Sequence, residues 1–237
     1  FISTHYNYRD HRKILVIDGH TAFNGGVNLS DEYINRNVKF GHWKDTAVML
    51  KGEAVRSFTL MFLQMWGITE KENEFARFLA YDPMPVKEAG GYVIPYGDCP
   101  LDDDKLGERV YMDILNRSLS YVHIMTPYLI LDGEMETALK FAAERGVEVI
   151  LLLPGIPDKI IPYALAKTHY ASLLESGVKI YEYTPGFVHA KTCVCDSAEA
   201  VVGTINLDYR SLYHHFECAA YLCRTECIQD IEADFQA

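Results

Sequence analysis

The chain has 237 residues, a net charge of −11 at pH 7 and a hydrophobic content of 49%. A chain of this length buries a full core and accommodates one large domain or two smaller ones. The acidic balance argues against binding to nucleic acid, because affinity for a polyanion comes largely from lysine and arginine. Any chemistry on phosphate therefore requires a local cationic pocket.

Two further exclusions follow from the sequence. The six cysteines form no Cys-x-x-Cys pair, and no histidines stand at ligand spacing beside them. We therefore predict no metal site and no metal cofactor. No stretch reaches the roughly 20 apolar residues that a membrane-spanning helix needs, so we expect no transmembrane span within this chain.

The first part of the sequence predicts few helices and strands, and the segment after them is rich in residues typical of loops. Strands are expected near 12–18 and 45–50, and a helix is expected at 53–66, where apolar residues recur at helical spacing. The next segment is typical of a linker or a long surface loop. Its prolines, glycine pair and acidic run lie at Asp82–Pro85, 90–91 and 102–104.

From residue 108 onward helices and strands alternate, which is typical of parallel pairing in an α/β sheet. The predicted helices are 108–119, 134–145, 160–175 and 226–235, and the predicted strands are 121–126, 147–153, 178–183, 189–195, 199–203 and 216–222.

One motif occurs twice and divides the chain into two related parts. His-x-Lys-x4-Asp is followed in the same register by a glycine and an asparagine, and eight of nineteen aligned positions are identical between 11–29 and 189–207. A long-period duplication is the simplest account. We predict the later part of a first half at 1–86, a linker at 87–106 and a second half at 107–237. The two copies comprise His11, Lys13, Asp18, Gly25 and Asn28, and His189, Lys191, Asp196, Gly203 and Asn206.

These residue types suit two-step chemistry on a phosphodiester. Alternate residues of a strand share a face, so the histidine and lysine of each copy project into one pocket. One imidazole attacks phosphorus and the other protonates the departing alkoxide. Both lysines, Asn28, Asn206 and Thr204 are assigned to the phosphate oxygens. Which histidine attacks first stays open, because the pair is nearly symmetric.

The acidic residues fall into two groups. Asp18 and Asp196 belong to the motif and are included in the catalytic set, although their opposite parity favours a turn-fixing role. A second, weaker sequence similarity relates the segment around Asp45 to the segment around Glu217. A carboxylate that contacts one ring nitrogen keeps an attacking imidazole in the right tautomer, and we assign these two residues to that role, one for each half.

The paired motifs resemble the phospholipase D superfamily, whose members build one active site between two such halves. The flanking residues are similar to bacterial cardiolipin synthases over nearly the whole chain. The resemblance implies an α/β fold with two phospholipase D-like halves, each a mixed β-sheet flanked by helices, of which the first is incomplete here. The similar segments are Asn7–Lys13, Gly25–Asn28, Phe40–Asp45, Thr126–Tyr128, Gly177–Tyr183 and Asn206–Ser211.

The resemblance further implies a reaction that joins two phosphatidylglycerols into cardiolipin and releases glycerol through a phosphohistidine, without cofactor or metal. Its partners are then phosphatidylglycerol and cardiolipin in a bacterial cytoplasmic membrane, and its anchor is a segment absent from this chain. A hydrolase or headgroup exchanger on the same scaffold, and a non-catalytic phospholipid-binding piece, stay as alternatives. A nuclease is disfavoured by the acidic balance.

Overall fold

The computed structural model describes residues 8–70, 75–80 and 89–237. Asn7 and the predicted loop residues 82–85 lie outside these ranges. The helices are a 3-10 turn at Asp31–Ile34 and α1 Ala54–Trp66, α2 Phe75–Leu79, α3 Leu106–Arg117, α4 Gly133–Glu144, α5 Ile160–Glu175, α6 Tyr209–Tyr213 and α7 Cys227–Gln236. The strands are β1 Arg9–Asp10, β2 Ile14–Ile17, β3 Thr21–Gly25, β4 His42–Lys44, β5 Ala47–Lys51, β6 Tyr92–Asp98, β7 Tyr121–Met125, β8 Leu129–Ile130, β9 Glu148–Pro154, β10 Lys179–Tyr183, β11 Gly186–Val188, β12 Thr192–Cys195, β13 Glu199–Gly203, β14 Leu207–Asp208 and β15 His215–Cys223.

A mixed eight-stranded sheet is the centre of the fold. Its strand order is β1-β15-β13-β12-β7-β9-β10, and β6 also pairs with β15. Strands β7, β9 and β10 are parallel, whereas β12 and β13 pair antiparallel with their neighbours. One face is covered by α3, α4 and α5, whose apolar residues share a core with alternate residues of the strands. The predicted α/β class with a mixed sheet flanked by helices is confirmed.

A second sheet, β2-β3-β5, packs on the opposite face of the large sheet. Ala22 and Val48 share a buried cluster with Val194, Ala200 and other residues of the large sheet. This burial follows from the period of two in each strand, which turns alternate residues toward the partner sheet. The two parts of the sequence are therefore joined by a common hydrophobic core.

The two sheets repeat the same pairing register. Val16 pairs with Ala22 in the first sheet, and Val194 pairs with Ala200 in the second. Gly25 and Gly203 stand at the same position of each repeat, opposite an alanine of the next strand. A Cβ added at Gly25 would lie 2.3 Å from a backbone oxygen, and one at Gly203 would lie 2.4 Å from a Cβ, so both positions require glycine.

Two expectations about the elements need correction. Residues 92–98, inside the predicted linker, form β6 on the edge of the large sheet, where Pro95 is tolerated because no further strand needs its N–H. Strand β3 was not predicted, although its counterpart at 199–203 was. The boundaries of the two halves stay predictions. Within the described ranges no helix combines the length and apolar character needed to cross a bilayer.

Candidate active site

The motif histidines lie just before the first strand of each repeat, at corresponding ends of the two sheets. β4 and β11 pair in parallel and bring the segment before β5 next to the segment before β12. The backbone N–H of His189 donates to Lys44 O at 2.7 Å. The N–H of His11 donates to Phe216 O at 3.0 Å. Each histidine is thus anchored by backbone to the opposite half of the chain.

The carboxylates are paired with the histidines across the halves. His11 Nδ1 lies 2.9 Å and 3.0 Å from the two carboxylate oxygens of Glu217. His189 Nδ1 lies 2.8 Å from Asp45 Oδ2. The sequence predicted these two acids but not their crossing. Each half therefore supplies the carboxylate for the histidine of the other half.

Glu217 is completely buried and held by hydroxyl groups. Thr204 Oγ1 and Ser211 Oγ both donate to its carboxylate. Thr204 Oγ1 also accepts from Cys218 N at 3.0 Å. The sequence predicts that Thr204 binds phosphate. In the structure its hydroxyl already donates to Glu217 and accepts from Cys218 N, because it lies beside the buried acid. Its position supports Glu217, and Ser211 is a supporting residue that the sequence did not single out.

Asp45 is positioned by the strand and helix around it. Its neighbours Lys44 and Thr46 both bind Asp234 of α7, with Lys44 Nζ at 2.9 Å and Thr46 Oγ1 at 2.8 Å from the carboxylate oxygens. A Cβ added to Gly26 would lie 2.0 Å from Asp45 Oδ1. The backbone of Gly26 therefore packs directly against the carboxylate of Asp45, with no room for a side chain between them.

Both acids are ionised despite burial. For Glu217 burial is the largest effect and opposes ionisation, but hydrogen bonds and the nearby His11 outweigh it and lower the pKa to about 2. Burial likewise opposes ionisation of Asp45, and the hydrogen bond from His189 together with the charge of Lys191 lowers its pKa. An ionised carboxylate only accepts, so Nδ1 of each histidine carries a proton, and in a neutral ring the lone pair then lies on Nε2.

Burial keeps His189 neutral. Desolvation is the main cause and the charge of Lys191 adds to it, so that the pKa of His189 falls to about 3. Aromatic rings provide this dry surrounding. The ring centroids of Tyr33 and Trp43 each lie 5.1 Å from that of His189. Trp43 lies in the segment Phe40–Asp45, which resembles cardiolipin synthases, but no spacing pattern predicts that Trp43 or Tyr33 belongs to the site.

The lysines turn back toward their own histidines. Lys13 Nζ donates to His11 O at 2.6 Å, and Lys191 Nζ donates to His189 O. The predicted strands 12–18 and 189–195 include Lys13, His189 and Lys191, but the observed strands β2 and β12 begin only after both pairs. Burial lowers the pKa of Lys13, against which the charges of Glu217 and Asp45 act. The same two acids also act on Lys191, so the four charged groups lie close enough to influence one another's ionisation.

We expect Lys191→Met to stabilise the fold. Lys191 is 1% exposed, and desolvation lowers its pKa from 10.5 to about 7. Between these pH values the unfolded state binds more protons than the folded state, so the protein with lysine at position 191 becomes more stable as pH rises. The variant should gain about 1–4 kcal/mol below pH ~7, where the folded chain must hold a desolvated ammonium group, and the gain should shrink toward pH ~10. Urea unfolding at about pH 6 and about pH 9 measures this; a loss of stability at the lower pH would contradict it.

The asparagines flank the site differently. Asn28 Nδ2 donates to Tyr33 Oη at 2.7 Å, and Tyr33 contacts His189. Asn206 is buried, its N–H donates to Ser211 Oγ at 3.1 Å, and its Oδ1 has no hydrogen-bond partner within the described residues. The two amides therefore lie close to the carboxylate–histidine pairs, and their role toward phosphate stays a prediction.

The motif aspartates stand at the far ends of β2 and β12 from the histidines. Asp18 and Asp196 both have positive φ, at 52° and 51°. The carboxylate of Asp196 accepts three backbone N–H groups, those of residues 119–121, each at 2.8 Å. Their inclusion in the catalytic set is therefore corrected. A four-residue strand separates each from the site, and both shape turns.

Comparisons with known proteins identify the family of the chain. The family model described as cardiolipin synthase, PLD-like domain, matches residues 111–237. A protein of Streptococcus mutans serotype c is 66% identical over 236 residues, which cover 100% of this chain and 51% of that protein. A cardiolipin synthase of Geobacillus kaustophilus is 39% identical over 235 residues, which cover 99% of this chain and 47% of that protein.

A solved structure has the same fold at low sequence identity. The phosphatidylserine synthase of Haemophilus influenzae superposes with a TM-score of 0.70 at 14% identity, over 98% of this chain and 62% of that chain. The chain spans about half the length of the curated relatives it matches. Because the family model covers more than half of the chain, the chain belongs to the cardiolipin synthase PLD-like domain family.

Proposed function

We propose that the chain forms the catalytic core of a phosphatidyltransferase that converts two phosphatidylglycerols into cardiolipin and glycerol. The crossed histidine–carboxylate pairs carry the proposal, because they supply two oriented imidazoles that both halves must assemble. Membership of the cardiolipin synthase family supports the substrate class.

The first step forms a covalent intermediate. Nε2 of one histidine attacks the phosphorus of a phosphatidylglycerol, and the bond to the glycerol headgroup oxygen breaks. The other histidine, starting as imidazolium, gives its proton to that oxygen, so that glycerol leaves. The carboxylate on Nδ1 of the attacking ring stabilises the positive charge that the ring acquires.

The second step returns the enzyme to its starting state. The histidine that gave up its proton takes one from a headgroup hydroxyl of a second phosphatidylglycerol, and this oxygen attacks the phosphorus. The phosphorus–nitrogen bond breaks, cardiolipin leaves and the attacking histidine is free again. Both half-reactions balance in atoms and protons.

The cationic side chains stabilise the transferred phosphate. Lys13 and Lys191 each use one N–H on a histidine carbonyl, and an ammonium group has two more donors for non-bridging oxygens. The amides of Asn28 and Asn206 add donors at the rim of the same pocket. Two lysines supply the positive charge that the transition state needs, and we propose that the reaction needs neither a metal ion nor nucleic acid.

The substrates place the reaction at a membrane. Phosphatidylglycerol and cardiolipin reside in bilayers, so we propose that the protein works at the bacterial cytoplasmic membrane, held there by a segment outside this chain. Candidate partners are therefore these two lipids.

Product analysis tests the proposal. The longest form of the protein that contains the chain is incubated with vesicles of phosphatidylglycerol carrying labelled headgroup glycerol. We expect one glycerol released for each cardiolipin formed. Phosphatidic acid without cardiolipin would identify a hydrolase, and lipid binding without either product would identify a non-catalytic role; both results contradict the transferase.

A further inference from the structure

A partly buried histidine lies beside the His11–Glu217 pair. His215 precedes Glu217 by two residues on β15, and its ring centroid lies 5.3 Å from that of His11. Its Nδ1 is 3.4 Å from Glu217 Oε1. Both ring nitrogens are buried, and among the described residues neither has a hydrogen-bond partner. Buried polar atoms normally have a partner, so this imidazole has bonding capacity left for a ligand or a water molecule.

Three metal-ligating groups converge at this point. His11, His215 and Glu217 each offer one ligand atom, and these atoms all lie within 4.8 Å of one another. Two imidazoles and one carboxylate, with a fourth position for water, form a ligand set that Zn²⁺ uses at distances of about 2.0–2.2 Å. In a tetrahedron such distances separate the ligand atoms by about 3.5 Å, so small side-chain movements close the site.

A polar cavity gives a cation access to His215. It has a volume of about 220 Å³ and is lined by His215, Asp98, Cys99 and the acidic run 102–104. The acidic run is exposed, as expected for a solvated loop. Carboxylates that line a cleft raise the local concentration of cations. Lys105 also lines the cavity, but four carboxylates outnumber this one ammonium group, so the cavity favours a positive ion beside His215.

We propose that His11, His215 and Glu217 bind Zn²⁺ and that this binding switches off phosphatidyl transfer. The cation binds the Nδ1 lone pair of His11, and the ring proton moves from Nδ1 to Nε2, so that Nε2 no longer has a lone pair for attack on phosphorus or for taking a proton. The Glu217 carboxylate binds the metal and offsets part of its charge, and the His11 ring loses its hydrogen-bonded orientation. Only the inhibitory part rests on the proposed function; the binding part stands on the three ligands and the cavity.

The ligand set predicts selectivity among divalent ions. Mg²⁺ prefers six oxygen ligands and retains its waters, so a site with two imidazoles suits it poorly. Zn²⁺ and Co²⁺ accept imidazole nitrogen readily. We expect Zn²⁺ binding to persist in excess Mg²⁺, and Co²⁺ to develop the visible absorption of a four-coordinate site.

Calorimetric titration with Zn²⁺ tests the binding part directly. We expect one ion per chain, and His215→Asn should weaken the affinity by about 100-fold or more, since losing a direct ligand exceeds the 10- to 100-fold effect of losing its supporting partner. His214→Asn is the matched control, because its ring contacts Tyr209 and lies outside the ligand set. Cys99→Ser tests the thiol in the cavity. Both controls should bind Zn²⁺ like the parent chain.

The outcomes separate the two proposals. Equal Zn²⁺ affinity of His215→Asn and the parent chain, or loss of binding only in Cys99→Ser, overturns the site. For inhibition, the ratio of transfer rates with and without Zn²⁺ is compared between His214→Asn and His215→Asn. We expect inhibition in the first and none in the second. Binding without inhibition overturns the switch, whereas absence of transfer in the metal-free parent chain overturns the proposed function alone.

Discussion

Replacing either His11 or His189 with asparagine reduces phosphatidyl transfer by about 10⁴-fold or more. Each variant removes one of the two imidazoles, and neither half-reaction proceeds at a useful rate with one. Because the residues act as a unit, the double variant should be no slower than the slower single variant. Cardiolipin formation in phosphatidylglycerol vesicles measures all three rates.

The control is His42→Asn, which removes an exposed histidine of the first half that is hydrogen-bonded to Tyr183 at 2.8 Å. Its transfer rate should stay within about twofold of the parent chain, because its side chain is exposed and bonds Tyr183, and surface substitutions usually change little. Retention of substantial transfer in both His11→Asn and His189→Asn would refute the shared site.

A substrate with a better leaving group identifies the attacking histidine. Such a headgroup departs without protonation, so the variant that lacks the acid still forms the covalent intermediate. That variant cannot activate the second hydroxyl and accumulates phosphatidyl-histidine. We expect mass spectrometry to find the adduct on the remaining histidine of one single variant and no adduct in the other.

The sequence predicted the two histidines and their two carboxylates but not how they are connected. His11 and His189 were evident because chemistry requires these residue types at a fixed spacing in both repeats. The partners Glu217 and Asp45 lie 206 and 144 residues away along the chain. Their crossing depends on which backbone segments meet between the halves, and local patterns of apolar and polar residues carry no information on such contacts.

The sequence repeat likewise does not predict which strand residues are exposed to solvent. Leu15 and Ile17 are 55% and 46% exposed, although their counterparts Cys193 and Cys195 are buried under the helices of the second half. The aligned residues have the same strand position and face in both sheets. What differs is the element that covers the face, and a residue's own sequence neighbourhood does not specify that element.

Asp45→Asn and Glu217→Gln each reduce transfer by about 10⁴-fold, the effect expected when an amide replaces the carboxylate that orients a catalytic imidazole. The amide no longer requires the proton on Nδ1, so Nε2 loses its lone pair in the competing tautomer. Glu232→Gln is the matched control, because Glu232 accepts a comparable bond of 2.8 Å from His123 outside the site. Its transfer rate should match that of the parent chain.

Double-mutant cycles on the free energy of unfolding test the crossing itself. We expect coupling of about 0.5–3 kcal/mol between His11 and Glu217, and between His189 and Asp45, because each pair shares a direct hydrogen bond. The same-half pairs, His11 with Asp45 and His189 with Glu217, share no such bond and should couple less. Stronger coupling within a half than across the halves would mean that each histidine is held by its own half, and the crossed arrangement would be wrong.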